Sequence, residues 1–308
     1  MRIAFAGTPA VAIETLKALI QSKHEVVQVI TAPPAARGRS KELIPSEVAL
    51  FASENNLDIF SPDSINTEES IEHLESLNLD LVVVVAYGQI LKPTTLSTAK
   101  FGWVNAHFSL LPAWRGAAPA QAAIIHGDEL TGVTTFLLDE GMDTGPILGQ
   151  VTTPIKNDET AGELLERLAP LGADLILKTL DGIEDGSIKP VAQTSIDASH
   201  ASKLLPKDGK IKWQNPALAI SRHIRGFTPS PGAWTSFDSA RIEIAPVEIA
   251  DFADLLVGQL RITKSEVLVG TGSFAVRLSR VKPAGKGWMN AADWARGLRE
   301  PVVGFEID

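Results

Sequence analysis

The 308-residue chain has no cysteine, which removes disulfides, thiolate metal sites and a cysteine nucleophile together. It also lacks a long apolar run. The longest, Leu79 to Tyr87, is interrupted by Asp80 and falls far short of the roughly 20 residues that span a bilayer. The N-terminus enters Arg2-Ile3-Ala4-Phe5 directly, without the basic, apolar and cleavage segments of a secretory leader. A cytoplasmic protein with no membrane association is expected. A third absence lies in the first glycine turn, Gly7-Thr8-Pro9-Ala10-Val11-Ala12. The second and third glycines of a Gly-x-Gly-x-x-Gly fingerprint are missing, which argues against a pyrophosphate-binding oxidoreductase.

What is present is ordinary in amount and uneven in placement. A hydrophobic fraction of 44% with 21% charged residues suits a globular protein. The length exceeds one average domain, so two are expected. The net charge of −9 argues against a general nucleic-acid binder. Yet residues 1–190 carry 13 Lys/Arg against 25 Asp/Glu, a net −12, whereas residues 191–308 carry 15 against 12, a net +3. Within the second half, Lys203, Lys207, Lys210, Lys212, Arg222 and Arg225 face one acid, Asp208. Such a run can follow phosphates, or can simply be a solvated face.

The first half alternates apolar runs with helical spacing, the pattern of parallel βαβ units. Strands are predicted at Ile3–Ala6, Val26–Thr31, Leu81–Ala86, Trp103–His107 and Val133–Asp139. Helices are predicted after Gly7, from Pro45 as a first helical residue, and over Thr160–Ile183 with a break near Pro170. After Gly186 the alternation stops. The expected organisation is a Rossmann-like, mostly parallel α/β domain over 1–190, a linker over 191–206, and a smaller OB-like β-barrel over 207–308.

Asn105-Ala106-His107 closes a predicted strand, and period-two alternation puts the amide and imidazole on one face. The carboxyl end of such a strand is where an open α/β sheet binds its ligand. Gly141-Met142-Asp143-Thr144-Gly145 can form a tight loop that brings a carboxylate against His107. An amide, an imidazole and a carboxylate together can stabilise an oxyanion and move a proton. Taken singly, His107 reads as a hydrogen-bonded structural residue, and Asn105 and Asp143 as turn formers.

The surrounding residues carry more. Asn105-Ala106-His107-Phe108-Ser109-Leu110-Leu111-Pro112, Trp114-Arg115-Gly116-Ala117-Ala118-Pro119, Gly132-Val133-Thr134 and Asp143-Thr144-Gly145 resemble the signature of the 10-formyltetrahydrofolate-dependent formyltransferases. The resemblance implies that Asn105, His107 and Asp143 form the catalytic set. It implies that Ser109, Leu110, Leu111 and Pro112 border the site of the folate co-substrate, and that no metal is involved. Phe5-Ala6-Gly7-Thr8-Pro9, Ala86-Tyr87-Gly88, Arg225-Gly226-Phe227, Pro231-Gly232-Ala233-Trp234 and Lys282-Pro283-Ala284-Gly285-Lys286 resemble the branch acting on initiator methionyl-tRNA. A monomer is expected, in which Arg39, Lys41, Lys207 and Lys210 meet the tRNA.

The loop Pro33 to Glu42 departs from the usual pattern of that branch, with one glycine and some positive charge fewer, while Ala113 and Ser230 replace a common basic residue and a common tryptophan. Transfer to a nucleotide sugar, to glycinamide ribonucleotide or to water would use the same catalytic set. A noncatalytic RNA-binding protein is the alternative of a different class.

Overall fold

A computed structural model of the chain describes residues 1–36, 42–298 and 304–307. Arg39 and Lys41 lie outside the described residues. The chain divides into two compact units. The first comprises Met1–Pro119, Leu130–Pro154 and Leu165–Ala201. The second comprises Ala120–Glu129, Ile155–Leu164 and Ser202–Asp308.

The first unit holds a seven-stranded sheet: β1 (Arg2–Gly7), β2 (Glu25–Ile30), β3 (Ile59–Phe60), β4 (Leu81–Val85), β5 (Trp103–His107), β6 (Leu130–Leu137) and β7 (Ile147–Pro154). Their spatial order is β3-β2-β1-β4-β5-β6-β7, parallel through β5 and antiparallel for the last two. All five residues of β4 are buried, as its continuous valines require of a strand covered on both faces. The strand order reverses at β1 and β4, so their carboxyl ends open a crevice. Gly7 is explained by that crowding: a Cβ there would lie 2.9 Å from the Val85 carbonyl oxygen and 2.9 Å from Ala12 Cβ.

The expected α/β class is borne out, and two local expectations are corrected. The second helix, Glu47–Glu54, does not start at Pro45, because Ser46 is its cap and accepts a hydrogen bond from Ala49 N at 3.0 Å. The helix Ala161–Glu184 runs through Pro170 without a break. Its buried face, Leu168, Ala169, Ala173, Ile176 and Leu180, holds the axis although the proline forfeits one hydrogen bond.

The second unit has two four-stranded antiparallel sheets. One is ordered Trp234–Phe237, Ala240–Ile244, Arg280–Pro283, Met289–Asn290; the other Glu248–Ile249, Val276–Arg277, Val267–Val269, Leu260–Ile262. The helix Ala217–Phe227 buries Ile220, Ile224 and Phe227 in the same core as Trp213, Val267, Val276 and Val281. Trp213 stacks on Phe305, and its indole N–H donates to Thr235 Oγ1 at 2.9 Å, both groups being buried.

That bond generates a stability prediction. Thr235→Val keeps the shape but leaves the indole N–H unpaired, and should cost about 1–3 kcal/mol. Urea denaturation followed by tryptophan fluorescence measures it. An effect under about 0.5 kcal/mol, within the range of an ordinary surface change, would mean that the hydrogen bond does not hold the second unit.

Candidate active site

β5 delivers two polar side chains to the carboxyl edge of the sheet. Asn105 is registered against Val84 on one side and Phe136 on the other, and His107 against Thr134. Both thus share a face, and Ala106 takes the opposite one. The Asn105 Oδ1 atom is buried and has no hydrogen-bond partner among the described residues. Such an orphan is costly unless a ligand satisfies it.

His107 is 6% exposed, and its Nε2 lies 2.8 Å from the Trp114 carbonyl oxygen. A carbonyl can only accept, so Nε2 carries the proton and Nδ1 presents its lone pair. Facing that lone pair, at 3.6 Å, is Asp143 Oδ2. Two acceptors opposed across this gap form a receptor for a proton. Burial pushes the imidazole below the ordinary histidine value, while the Asp143 charge and the Trp114 bond oppose the shift. Burial thus favours the neutral form of the ring. Trp114, not Asp143, orients it.

The loops that meet here are held in left-handed backbone conformations, with φ of 60° at Trp114, 55° at Asp143 and 118° at Gly116. Gly116 is required: a Cβ there would lie 2.6 Å from the Ala201 carbonyl oxygen, and its N–H donates to Asp143 Oδ2 at 2.7 Å. The Asp loop is tied at its base by Asp139 Oδ1, which accepts from Gly141 N at 3.0 Å and from Thr144 Oγ1 at 2.7 Å.

His107 and Asp143 thus approach to 3.6 Å, and Asn105 shares the strand face of His107. Ser109 to Pro112 are placed differently. Ser109 is fully buried and its hydroxyl donates to the Ala113 carbonyl at 2.6 Å. Leu111 is buried too, with its N–H on Thr134 Oγ1 at 3.1 Å and its carbonyl accepting from Gln150 Nε2 at 2.9 Å. This segment is a braced turn following β5, and only Leu110 and Pro112 keep partial exposure. A cavity of about 260 Å³ opens instead beside Asp143, lined by Gln89, Ile90, Leu91 and Leu138 to Asp143. Sequence reasoning missed it. Ile90 and Met142 stand 80% and 61% exposed on its wall, yet an exposed apolar residue has no periodicity to announce it.

The basic run of the second unit divides. Arg225 is buried and donates to the Glu159 carbonyl at 2.9 Å, and Arg222 lies against Gly127. Lys203, Lys207 and Lys212 are exposed. Lys210 is half-buried, with Nζ 5.7 Å from the centre of the Trp234 ring. No helix among the described residues is long and apolar enough to cross a membrane.

The imidazole generates a pH prediction. His107 should titrate below the ordinary histidine range, and Asp143→Asn should move its midpoint lower still, because the carboxylate is what offsets burial. Imidazole NMR during a pH titration checks this. An unchanged or higher midpoint in the variant would show that the carboxylate does not act on the ring.

Comparison with known proteins agrees with the geometry. Residues 1–180 match the family described as formyl transferase, and residues 203–299 its C-terminal domain. The methionyl-tRNA formyltransferase of Mycobacteroides abscessus is 49% identical over 299 residues, covering 97% of each chain. That of Thermobifida fusca is 49% identical over 300 residues, again covering 97% of each. Among solved structures, the sugar 3N-formyl transferase WlaRD aligns with a TM-score of 0.68 at 21% identity, over 93% of this chain and 99% of its own. At that identity the likeness concerns the fold alone. Full-length identity near one half, over both matched regions and with the Asn105, His107 and Asp143 constellation assembled, shows that the chain belongs to the formyl transferase family, within its methionyl-tRNA formyltransferase branch.

Proposed function

We propose that the protein transfers the formyl group of 10-formyltetrahydrofolate to the α-amine of initiator methionyl-tRNA, in the cytoplasm and without a metal. The observation that carries the chemistry is His107, whose Nε2 donates to the Trp114 carbonyl and whose Nδ1 lies 3.6 Å from Asp143 Oδ2, on the strand face it shares with Asn105. The amine nitrogen bonds to the formyl carbon, and the Asn105 Nδ2 amino group donates a hydrogen bond to the resulting oxyanion. The ammonium proton passes to Nδ1, where the Asp143 charge stabilises the imidazolium that forms. The same proton then returns from Nδ1 to the folate nitrogen as its bond to carbon breaks. One carbon–nitrogen bond is made, one is broken, and the proton balance closes. His107 and Asp143 act here as a proton relay, and Asn105 as the oxyanion partner.

The cavity beside Asp143 suits the flat bicyclic end of a folate. Ile90, Leu91, Leu138 and Met142 supply apolar walls, and Gln89, Asp139 and Glu140 supply polar groups. Ser109 to Pro112 support that site as a brace, with Leu110 and Pro112 the two able to touch a ligand. We assign catalysis and folate binding to the first unit, whose chain runs on through Ala201, and tRNA docking to the part of the second unit that follows Ser202, together with Arg39 and Lys41. Lys207 and Lys210 sit on one short turn, Pro206–Gly209 and its cap, where two charges can meet successive phosphates. A single chain carries every group named.

The choice of acceptor tests this reading directly. Offered charged initiator tRNA, free methionine or water with the formyl donor, the enzyme should formylate only the tRNA; release of formate with water alone would favour a hydrolase. Asn105→Ala or His107→Ala should lower kcat by about 10²–10³ with folding preserved, and near-normal turnover in both would sink the assignment. Separately, Lys207→Ala or Lys210→Ala should weaken tRNA binding and reduce the slope of log affinity against log salt by about 1 for each phosphate left without its lysine. An unaltered slope in both would move the docking surface elsewhere.

A further inference from the structure

The segment following the long helix is stitched to both loops of the site. Val191 and Ile147 exchange backbone hydrogen bonds of 2.7 and 2.8 Å. Ser199 accepts from Trp114 N at its hydroxyl (2.9 Å) and from Arg115 N at its carbonyl (2.8 Å), and His200–Ala201 pair in parallel with Arg115–Gly116. Midway along this segment, Gln193 Nε2 donates to the backbone carbonyls of Asp143 at 2.9 Å and Gly145 at 2.8 Å. Its Oε1 accepts from Arg115 Nε at 3.1 Å and Nη2 at 2.8 Å. A guanidinium only donates and a backbone carbonyl only accepts, so the amide can face only one way, with both of its hydrogens committed.

We propose that Gln193, held by Arg115, is a positioning residue for formyl transfer: it fixes the Asp143 carboxylate opposite His107 Nδ1. This rests on the reading of Asp143 and His107 given above. A left-handed backbone at Asp143, with glycines two residues away on either side, is not a conformation that local preference maintains. Asp139 secures Gly141 before the carboxylate and the Thr144 hydroxyl after it. Gln193 secures the backbone carbonyls of Asp143 itself and of Gly145. Gly116 N, which grips the carboxylate itself, belongs to the residue after Arg115. Gln193 therefore links the peptide that carries the carboxylate to the strand that holds it. Without that link the Asp143 peptide is held to this strand through the Gly116 bond to its carboxylate and the more distant backbone stitches at Val191 and Ser199, and a displacement near 1 Å at a reacting group costs roughly 10²-fold.

Gln193→Met keeps the length of the side chain and loses all four hydrogen bonds. Gln193→Glu keeps the Arg115 pair but turns an acceptor toward two carbonyls. Both variants should lower kcat by about 10–100-fold while KM for the folate donor and for methionyl-tRNA stays within about twofold, since Gln193 serves the reacting geometry and not the binding of either substrate. In an Asp143→Asn background, Gln193→Met should lower kcat by less than about threefold more, because the group it positions is already gone. Thermal melting accompanies each variant, and Gln193→Glu decides the matter if Gln193→Met does not fold. Near-normal kcat in the folded Gln193 variants, a loss confined to KM, or full additivity in the double variant would each overturn the proposal. Normal turnover of Asp143→Asn by itself would instead overturn the reading of the site, so the two failures are distinguishable.

Discussion

A neutral imidazole has one donor nitrogen and one acceptor nitrogen, and the hydrogen bond from His107 Nε2 to the Trp114 carbonyl decides which is which. With the proton fixed on that side, the lone pair of Nδ1 faces Asp143, as the proposed proton relay requires. Were the tautomer reversed, Nδ1–H would already be spent on the carboxylate and no proton could be received there. Much of the surrounding structure maintains this choice. Trp114 holds a left-handed backbone, its N–H is taken by Ser199, and the following residues pair with His200–Ala201. The sheet supplies the position, and the loops supply the protonation state.

Burial and charge act on the same ring in opposite directions. Removal from water disfavours the imidazolium and the nearby carboxylate favours it; in the proposed relay the first keeps His107 unprotonated before reaction and the second makes the imidazolium tolerable once it forms. Neither influence alone would serve. A buried histidine without Asp143 would be too reluctant to take the proton, and an exposed one beside a carboxylate would already hold it over part of the neutral range.

Strand-borne parts of the site were legible in the sequence, because the period of two relates Asn105 to His107 without knowledge of anything else in the chain. Strands with continuous apolar character were legible for the same reason, as at Leu81–Val85. Helix limits were less so: Pro45 and Pro170 each carry a local preference that a serine cap and a buried helical face override. The cavity beside Asp143 and the part taken by Gln193 were not legible. Gln193 meets its partners 48, 50 and 78 residues away in sequence, in a stretch whose polar composition reads as a connection. The burial of Ser109 and Leu111 was not legible either, since it depends on Thr134 and Gln150 from two other strands.

The composition of the second unit has a bearing on how the protein is made. Ala120–Glu129 and Ile155–Leu164 belong to it, and Ile125 packs against its core, yet most of that core lies beyond Ser202. A ribosome releases these two short pieces seconds before their partners exist, so the unit cannot close in the order of synthesis, as N-terminal domains ordinarily do. The first unit, by contrast, has all its residues at or before Ala201. During translation the nascent chain therefore carries every strand of the first sheet and two pieces of the second unit that wait for the last third of the polypeptide, a window in which chaperones and proteases have access to them.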